Sequence, residues 1–191
     1  MKSSNHFKIE VILLTLFLLL KSPAFAQEKG LTNIKIANSR DNLLTFFNIH
    51  DMFPDNIKKS ILSGLPATFS FFIALYQTDD LWFDKKIADL IITHDIKYNT
   101  LKKEFGVKRS WEKGKTRITK TFIEAEQLLT NVNHLKVVSL SRLEKNWKYQ
   151  LRVRVKAEVN KDKKPFYLRY VSYFIPMWDF KTDWYVMDFI Y

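Results

Sequence analysis

The chain has 191 residues, a formal charge of +11 at pH 7 and no cysteine. Lack of cysteine excludes thiol catalysis, thiolate metal sites, a disulfide framework, a disulfide-linked partner and acylation at a lipoprotein cysteine. The length suits one domain able to bury a core without covalent staples.

The N-terminus reads as an export signal. Lys2 and Lys8 form a basic head, Val11 to Leu20 (VILLTLFLLL) an apolar run, and Ala24-Phe25-Ala26 a small-residue exit. Together these predict a secretory signal peptide over residues 1–26, cleaved after Ala26. A permanent helical span takes about 20 apolar residues, so the run is short for an anchor. The remaining residues 27–191 contain only Gly30, Gly64, Gly106 and Gly114, with no low-complexity linker and no internal repeat. They are expected to form a single basic, β-rich domain. A basic exported protein meets anionic lipid, glycan or acidic protein more readily than nucleic acid.

In chain order, Leu31–Ala37 and Leu43–Ile49 suggest a hairpin around NSRDN. Pro54–Ser63 reads as a helix, with a proline and an acid suited to a first turn and Gly64 as its stop. Leu65–Tyr76 (LPATFSFFIALY) carries no charge, yet its odd positions are all apolar and its even positions mixed. Twelve residues are too few to cross a bilayer as a helix, and the Thr, Phe, Ile and Tyr content favours a strand. A central strand covered at least in part on both faces is expected. Ile87–Tyr98 alternates as a strand, although Ile87, Leu90 and Ile91 also fit a helical face. Leu101–Val107 suggests a further strand before the turn KRSWEKGK. Thr121–Asn131 has helical spacing at Phe122, Ala125, Leu128 and Leu129, with Thr121 and Glu124 placed as a capping box. Lys136–Leu143 is rich in β-formers.

The most regular segment is Trp147–Val159. Trp147, Tyr149, Leu151, Val153, Val155, Ala157 and Val159 fall on one side, and Lys148, Gln150, Arg152, Arg154, Lys156 and Glu158 on the other. Strict alternation defines a strand with one wet face. Asn160–Pro165 reads as the loop after it, and Asp183–Tyr191 as a C-terminal strand. The expected fold is α+β and mainly antiparallel β, sandwich-like or a strongly twisted sheet, with two short helices.

Catalytic chemistry finds little support. His50 and His94 each precede an aspartate, but no further ligands stand at metal-binding spacing, and His134 is isolated. Hydrogen-bonding or solvated histidines are the expected reading, with no metal and no cofactor. No nucleophile elbow, phosphate-cradling glycine loop or Ser-x-x-Lys set is present. Asp79, Asp80 and Asp84 flank Trp82 and Phe83, which suits an acidic turn better than a glycosidase pair. The candidate binding residues are Lys148, Arg152, Arg154 and Lys156. Alternate residues on a strand lie about 6.6–6.8 Å apart, so this row could meet successive anionic groups. The plainer reading is a solvated face whose charges discourage edge pairing.

Several segments together carry a resemblance: SGLPATFSFFIALY, LWFD (Leu81–Asp84), IKYNTLKKEFGV (Ile96–Val107), FIEAEQLL (Phe122–Leu129), LRVRVKAEV (Leu151–Val159) and the tryptophan-bearing C-terminal strand. The chain resembles the bacterial family known as domain of unknown function 4390 (DUF4390) over nearly all of residues 27–191. The resemblance implies an exported, single-domain envelope protein and supplies no catalytic residues. It also implies that an envelope sensor protein is a conceivable partner, because members are often encoded beside an envelope-sensing histidine kinase. The expected function is a non-catalytic periplasmic binding or accessory module in cell-envelope maintenance or signalling. One rival is a small outer-membrane β-barrel, suggested by the alternating Tyr185, Met187, Phe189 and Tyr191. A hydrolase without a recognised motif is the other.

Overall fold

The computed structural model describes residues 31–50, 53–79, 83–112, 114–159 and 179–191. Among these residues, ten strands and two helices follow one another as β1 (Leu31–Asn38), β2 (Asn42–Ile49), α1 (Asp55–Leu62), β3 (Ala67–Gln77), β4 (Lys85–Asn99), β5 (Glu104–Arg109), β6 (Thr116–Thr119), α2 (Phe122–Thr130), β7 (Asn131–Ser139), β8 (Lys148–Val159), β9 (Asp179–Lys181) and β10 (Tyr185–Ile190). The fold is α+β with mainly antiparallel strands, as the alternation implied. The signal segment, Asp80, Leu81, Trp82 and the Asn160–Pro165 loop lie outside the described residues.

The described strands form two antiparallel sheets. The shorter has the order β1-β2-β7, and the longer β10-β8-β3-β4-β5-β6, with β9 paired to β8 beside β10. The uncharged stretch is the middle of the long sheet. β3 pairs along its whole length with β4 on one side and β8 on the other. Its alternation then sets two faces. Ala67, Phe69, Phe71, Ile73 and Leu75 point inward and are buried. They meet Tyr149, Leu151, Val153, Val155 and Ala157 of β8, also buried, in the same layer.

The short sheet and both helices cover this inner face. Phe47 of β2 packs on Phe71 at 5.9 Å between ring centroids. Phe53, just before α1, makes edge contacts with Phe69 and with Phe122 of α2. Phe122 in turn packs on Phe105 of β5. Edge-to-face aromatic pairs of this kind add about 0.5–1.5 kcal/mol beyond their buried area.

The helix ends obey local chemistry. Pro54 is the N-cap of α1 rather than a residue of its first turn, and its carbonyl accepts from the Ile57 and Lys58 amides. At the other end Gly64 has φ of +89°. Its amide donates to the Ile61 carbonyl while the Leu65 amide donates to the Ser60 carbonyl. These two bonds make a Schellman stop, which needs a left-handed residue at that point. The Thr121 hydroxyl caps α2 by accepting from the Glu124 amide.

Several sequence expectations change in detail. The Ile87–Tyr98 segment is strand, because β4 is held by β3 and also by β5, which a helix could not satisfy. Leu101 is not in a strand. Asn99 Oδ1 accepts from the Leu101 and Lys102 amides, and this Asx turn leaves Leu101 exposed. Strand β5 therefore begins at Glu104 and takes up Lys108 and Arg109, which the sequence assigned to a turn. Thr116–Thr119 of the same charged region becomes the edge strand β6. Strand β7 starts at Asn131, whose extended backbone both caps α2 and opens the strand, and Leu140–Arg142 forms a single 3-10 turn instead of its end.

Replacing Gly64 with alanine forces a Cβ onto a backbone that L-residues avoid. Urea denaturation of Gly64→Ala should show a loss of about 1 kcal/mol or more. An unchanged midpoint would mean that the turn relaxes to another geometry.

Candidate functional site

The outward side of the long sheet carries the sequence's candidate residues. Strand β8 lies inside the sheet between β3 and β10, so its charges are not guarding an edge. Lys148, Arg152, Arg154 and Lys156 do share the face opposite the buried Tyr149–Ala157 row. What the period of two could not show is what stands beside them. The register places Arg154 opposite Phe72 and Arg152 opposite Ala74, with Tyr76 opposite Gln150.

The two arginines are consequently laid over aromatic rings. The Arg154 guanidinium lies 5.1 Å from the Phe72 ring centroid and 4.5 Å from that of Trp184, so it is flanked by two rings. Its Nε is buried and has no hydrogen-bond partner among the described residues. The Arg152 guanidinium lies 4.2 Å from the Tyr76 centroid. It also donates to Asp84 Oδ2 at 2.6 Å and to Gln150 Oε1. Lys86 approaches Tyr76 at 5.7 Å and pairs with Asp89. Lys156 pairs with Glu158. A cation over an aromatic face is worth about 0.5–1 kcal/mol when exposed and more when desolvated. The row is therefore a held arginine–aromatic face rather than a set of independent solvated charges.

Sequence reading found the cations and missed the rings. Phe72 and Tyr76 were visible as the large residues on the mixed side of β3. Their pairing with the arginines depends on register, which no single sequence displays. Beyond these, Val186, Ile190 and Ile91 are exposed on the same outward side. A cleft of about 450 Å³ lies farther along it, lined by Thr68, Asp95, Lys97, Gly106, Lys108 and Ile118 among others. A Cβ at Gly106 would meet Thr116 Cγ2 at 3.3 Å and Ile118 Cδ1 at 3.6 Å, so any larger residue there would crowd these two side chains.

The remaining polar candidates separate. Asp95 and His94 are neighbours in sequence but face opposite sides of β4. Asp95 accepts from the Thr68 hydroxyl at 2.6 Å on the outward face, whereas His94 is fully buried. They cannot act as one unit. His50 is exposed, and His134, at φ of +57°, sets its ring against Phe46. Among the described residues no three His, Asp or Glu side chains are placed to hold a metal ion. Asp84 serves Arg152.

His94 is set between Phe71 and Trp111, each 4.5 Å away between centroids. Its Nδ1–H donates to the Leu129 carbonyl at 2.7 Å, and Nε2 has no partner among the described residues. Burial, against a raising effect of the Leu129 bond and aided by nearby Arg109, lowers its pKa to about 3. It is therefore a neutral core residue tying β4 to the end of α2. Next to it Arg109 and Arg117 share Glu112. Burial pushes the Glu112 carboxyl up, but its bonds to Arg117 and Arg109 outweigh this and leave it below the usual range. These two arginines line a cleft of about 530 Å³ between β6 and α2, where Glu124 also lies. Glu112 answers one of their two charges, and Glu124 brings a second acid to the same cleft.

The family described as Domain of unknown function (DUF4390) matches residues 26–188, and the chain belongs to that family. No curated protein and no solved structure matches it.

The histidine gives a pH prediction. With a folded pKa of about 3 against an unfolded value near 6.5, the unfolded chain binds the extra proton between those limits. Stability contributed by neutral His94 is complete above pH 6.5 and declines as pH falls toward 3. The slope approaches about 1.4 kcal/mol per pH unit. His94→Asn keeps a donor for Leu129 without titrating, so its urea stability should fall less steeply between these limits. Parallel pH profiles for the two proteins would show that His94 protonates as readily folded as unfolded.

Proposed function

We propose that the protein is a non-catalytic accessory module of the bacterial cell envelope. It is exported behind its signal peptide to the periplasm and meets anionic lipid, an acidic glycan or an acidic protein partner with the outward face of the long sheet. The observation that carries this reading is the pair Arg152 and Arg154, held on Tyr76, Phe72 and Trp184 where half-buried and exposed rings alternate with cations. Arginine fixed in this way loses little side-chain freedom on binding, with Arg154 free of an acidic partner among the described residues and Arg152 shared with Asp84. The planar guanidinium matches phosphate and carboxylate oxygens, and exposed Trp184 and Val186 supply apolar contact beside it. Attraction of this type rises with anionic surface charge and weakens with salt.

An envelope sensor protein fits the same face only if it presents acidic side chains. The barrel alternative separates from this reading by behaviour in detergent gels, where a membrane barrel changes migration on heating and the accessory module does not.

The test uses methionine, which keeps the packed stem and removes the charge. The double variant Arg152→Met, Arg154→Met should lose most co-sedimentation with phosphatidylglycerol vesicles, while neither protein sediments with phosphatidylcholine vesicles. Its stability should fall by about 2 kcal/mol as three cation–ring contacts disappear. Undiminished sedimentation of the variant would reduce the stripe to a structural clasp.

A further inference from the structure

Among the described strands, the long sheet ends at β10. Among the described residues β10 pairs with β8 alone. Hydrogen-bond parity shows which backbone groups are left over. The Tyr191 amide donates to the Trp147 carbonyl, and the Thr182 amide donates to the Val155 carbonyl. On its other side β8 uses the Lys148 carbonyl to accept from Thr78 of the β3 strand end. Odd-numbered residues of β8 thus serve β10, and their register partners are Tyr185, Met187 and Phe189. The N–H and C=O groups of Val186, Asp188 and Ile190 point away from the sheet.

Such an edge is usually blunted by lysine, proline or a bulge. Here β10 reads YVMDFI with Asp188 as its single charge, and its pairing with β8 runs without a register shift. Val186 is 44% and Ile190 70% exposed. We propose that this edge pairs with the same edge of a second copy of the chain, making an antiparallel β10–β10 dimer centred on Met187.

The centring follows from the residues. Antiparallel pairing about a two-fold axis requires outward-pointing residues to face each other, which allows centres at Met187 or at Asp188 within the middle of the strand. Centring on Asp188 sets two carboxylates directly opposite, which is unfavourable. Centring on Met187 sets each Asp188 opposite Val186 of the second copy, Tyr185 opposite Phe189, and Trp184 opposite Ile190. The last two are aromatic–aromatic and aromatic–aliphatic cross-strand pairs, each favourable. The dimer joins two long sheets edge to edge, so that the two arginine–aromatic faces form one surface.

Analytical ultracentrifugation across a range of protein concentrations tests this. The parent chain should show a monomer–dimer equilibrium. Val186→Asp places an acid opposite Asp188 twice by symmetry and should weaken association roughly tenfold. Val186→Lys places a base there and should not weaken it. Circular dichroism melts check that both variants stay folded, as an exposed outward position allows. The chain has no cysteine, so single cysteines read the register directly. Met187→Cys should form an intermolecular disulfide under mild oxidation far faster than Asp188→Cys. A monomer at every concentration, equal weakening by both Val186 variants, or preferential cross-linking at 188 would overturn the proposal.

Discussion

The structure depends on the pairing of β3 with two partners at once. An uncharged strand between β4 and β8 has no free backbone edge, and its inward side chains supply the middle of the core. Every other layer is placed by reference to it. The short sheet reaches the core through Phe47 on Phe71, and the helices through Phe53 on Phe69 and Phe122 on Phe105. Because strand side chains alternate, fixing the inward set also fixes the outward set. A slip of one residue would turn Phe69 and Phe71 to solvent and bury Thr68 and Ser70.

The same constraint creates the candidate site. With β8 locked against β3, the outward positions of the two strands are neighbours, and Arg154 and Phe72 come into register. The Schellman turn at Gly64 delivers the chain into β3 at that register, so a glycine conformation near one end has a consequence across the face. Burying His94 neutral under the same layer is the cost side of the design. It supplies one bond between β4 and α2 and leaves Nε2 without a described partner.

Much of this was legible in the residues, for reasons that can be named. Strands with one buried face write their period into the sequence, which is why β3 and β8 stood out. Helix ends write local chemistry, so Thr121 with Glu124 and the stop at Gly64 were readable. Strand β6 was not legible, since four residues with three polar side chains have no periodic signal and exist as a strand through pairing with β5. Leu101 fits a strand by its apolar side chain alone, whereas Asn99 two positions earlier makes a turn there. At the candidate face, the cations and the large residues of β3 are visible in the sequence, and the contacts between them are not. Ring contacts join residues such as Arg154, Phe72 and Trp184, whose proximity is a property of strand order.

Held on both edges, β3 should be the last element to lose its structure. Native-state amide hydrogen exchange measures this residue by residue. The Phe69, Phe71 and Ile73 amides should exchange only through global unfolding, with free energies matching the denaturant value, while β6 and β10 open earlier. Exchange of the β3 amides through a local opening, at energies no higher than those of β6, would contradict it.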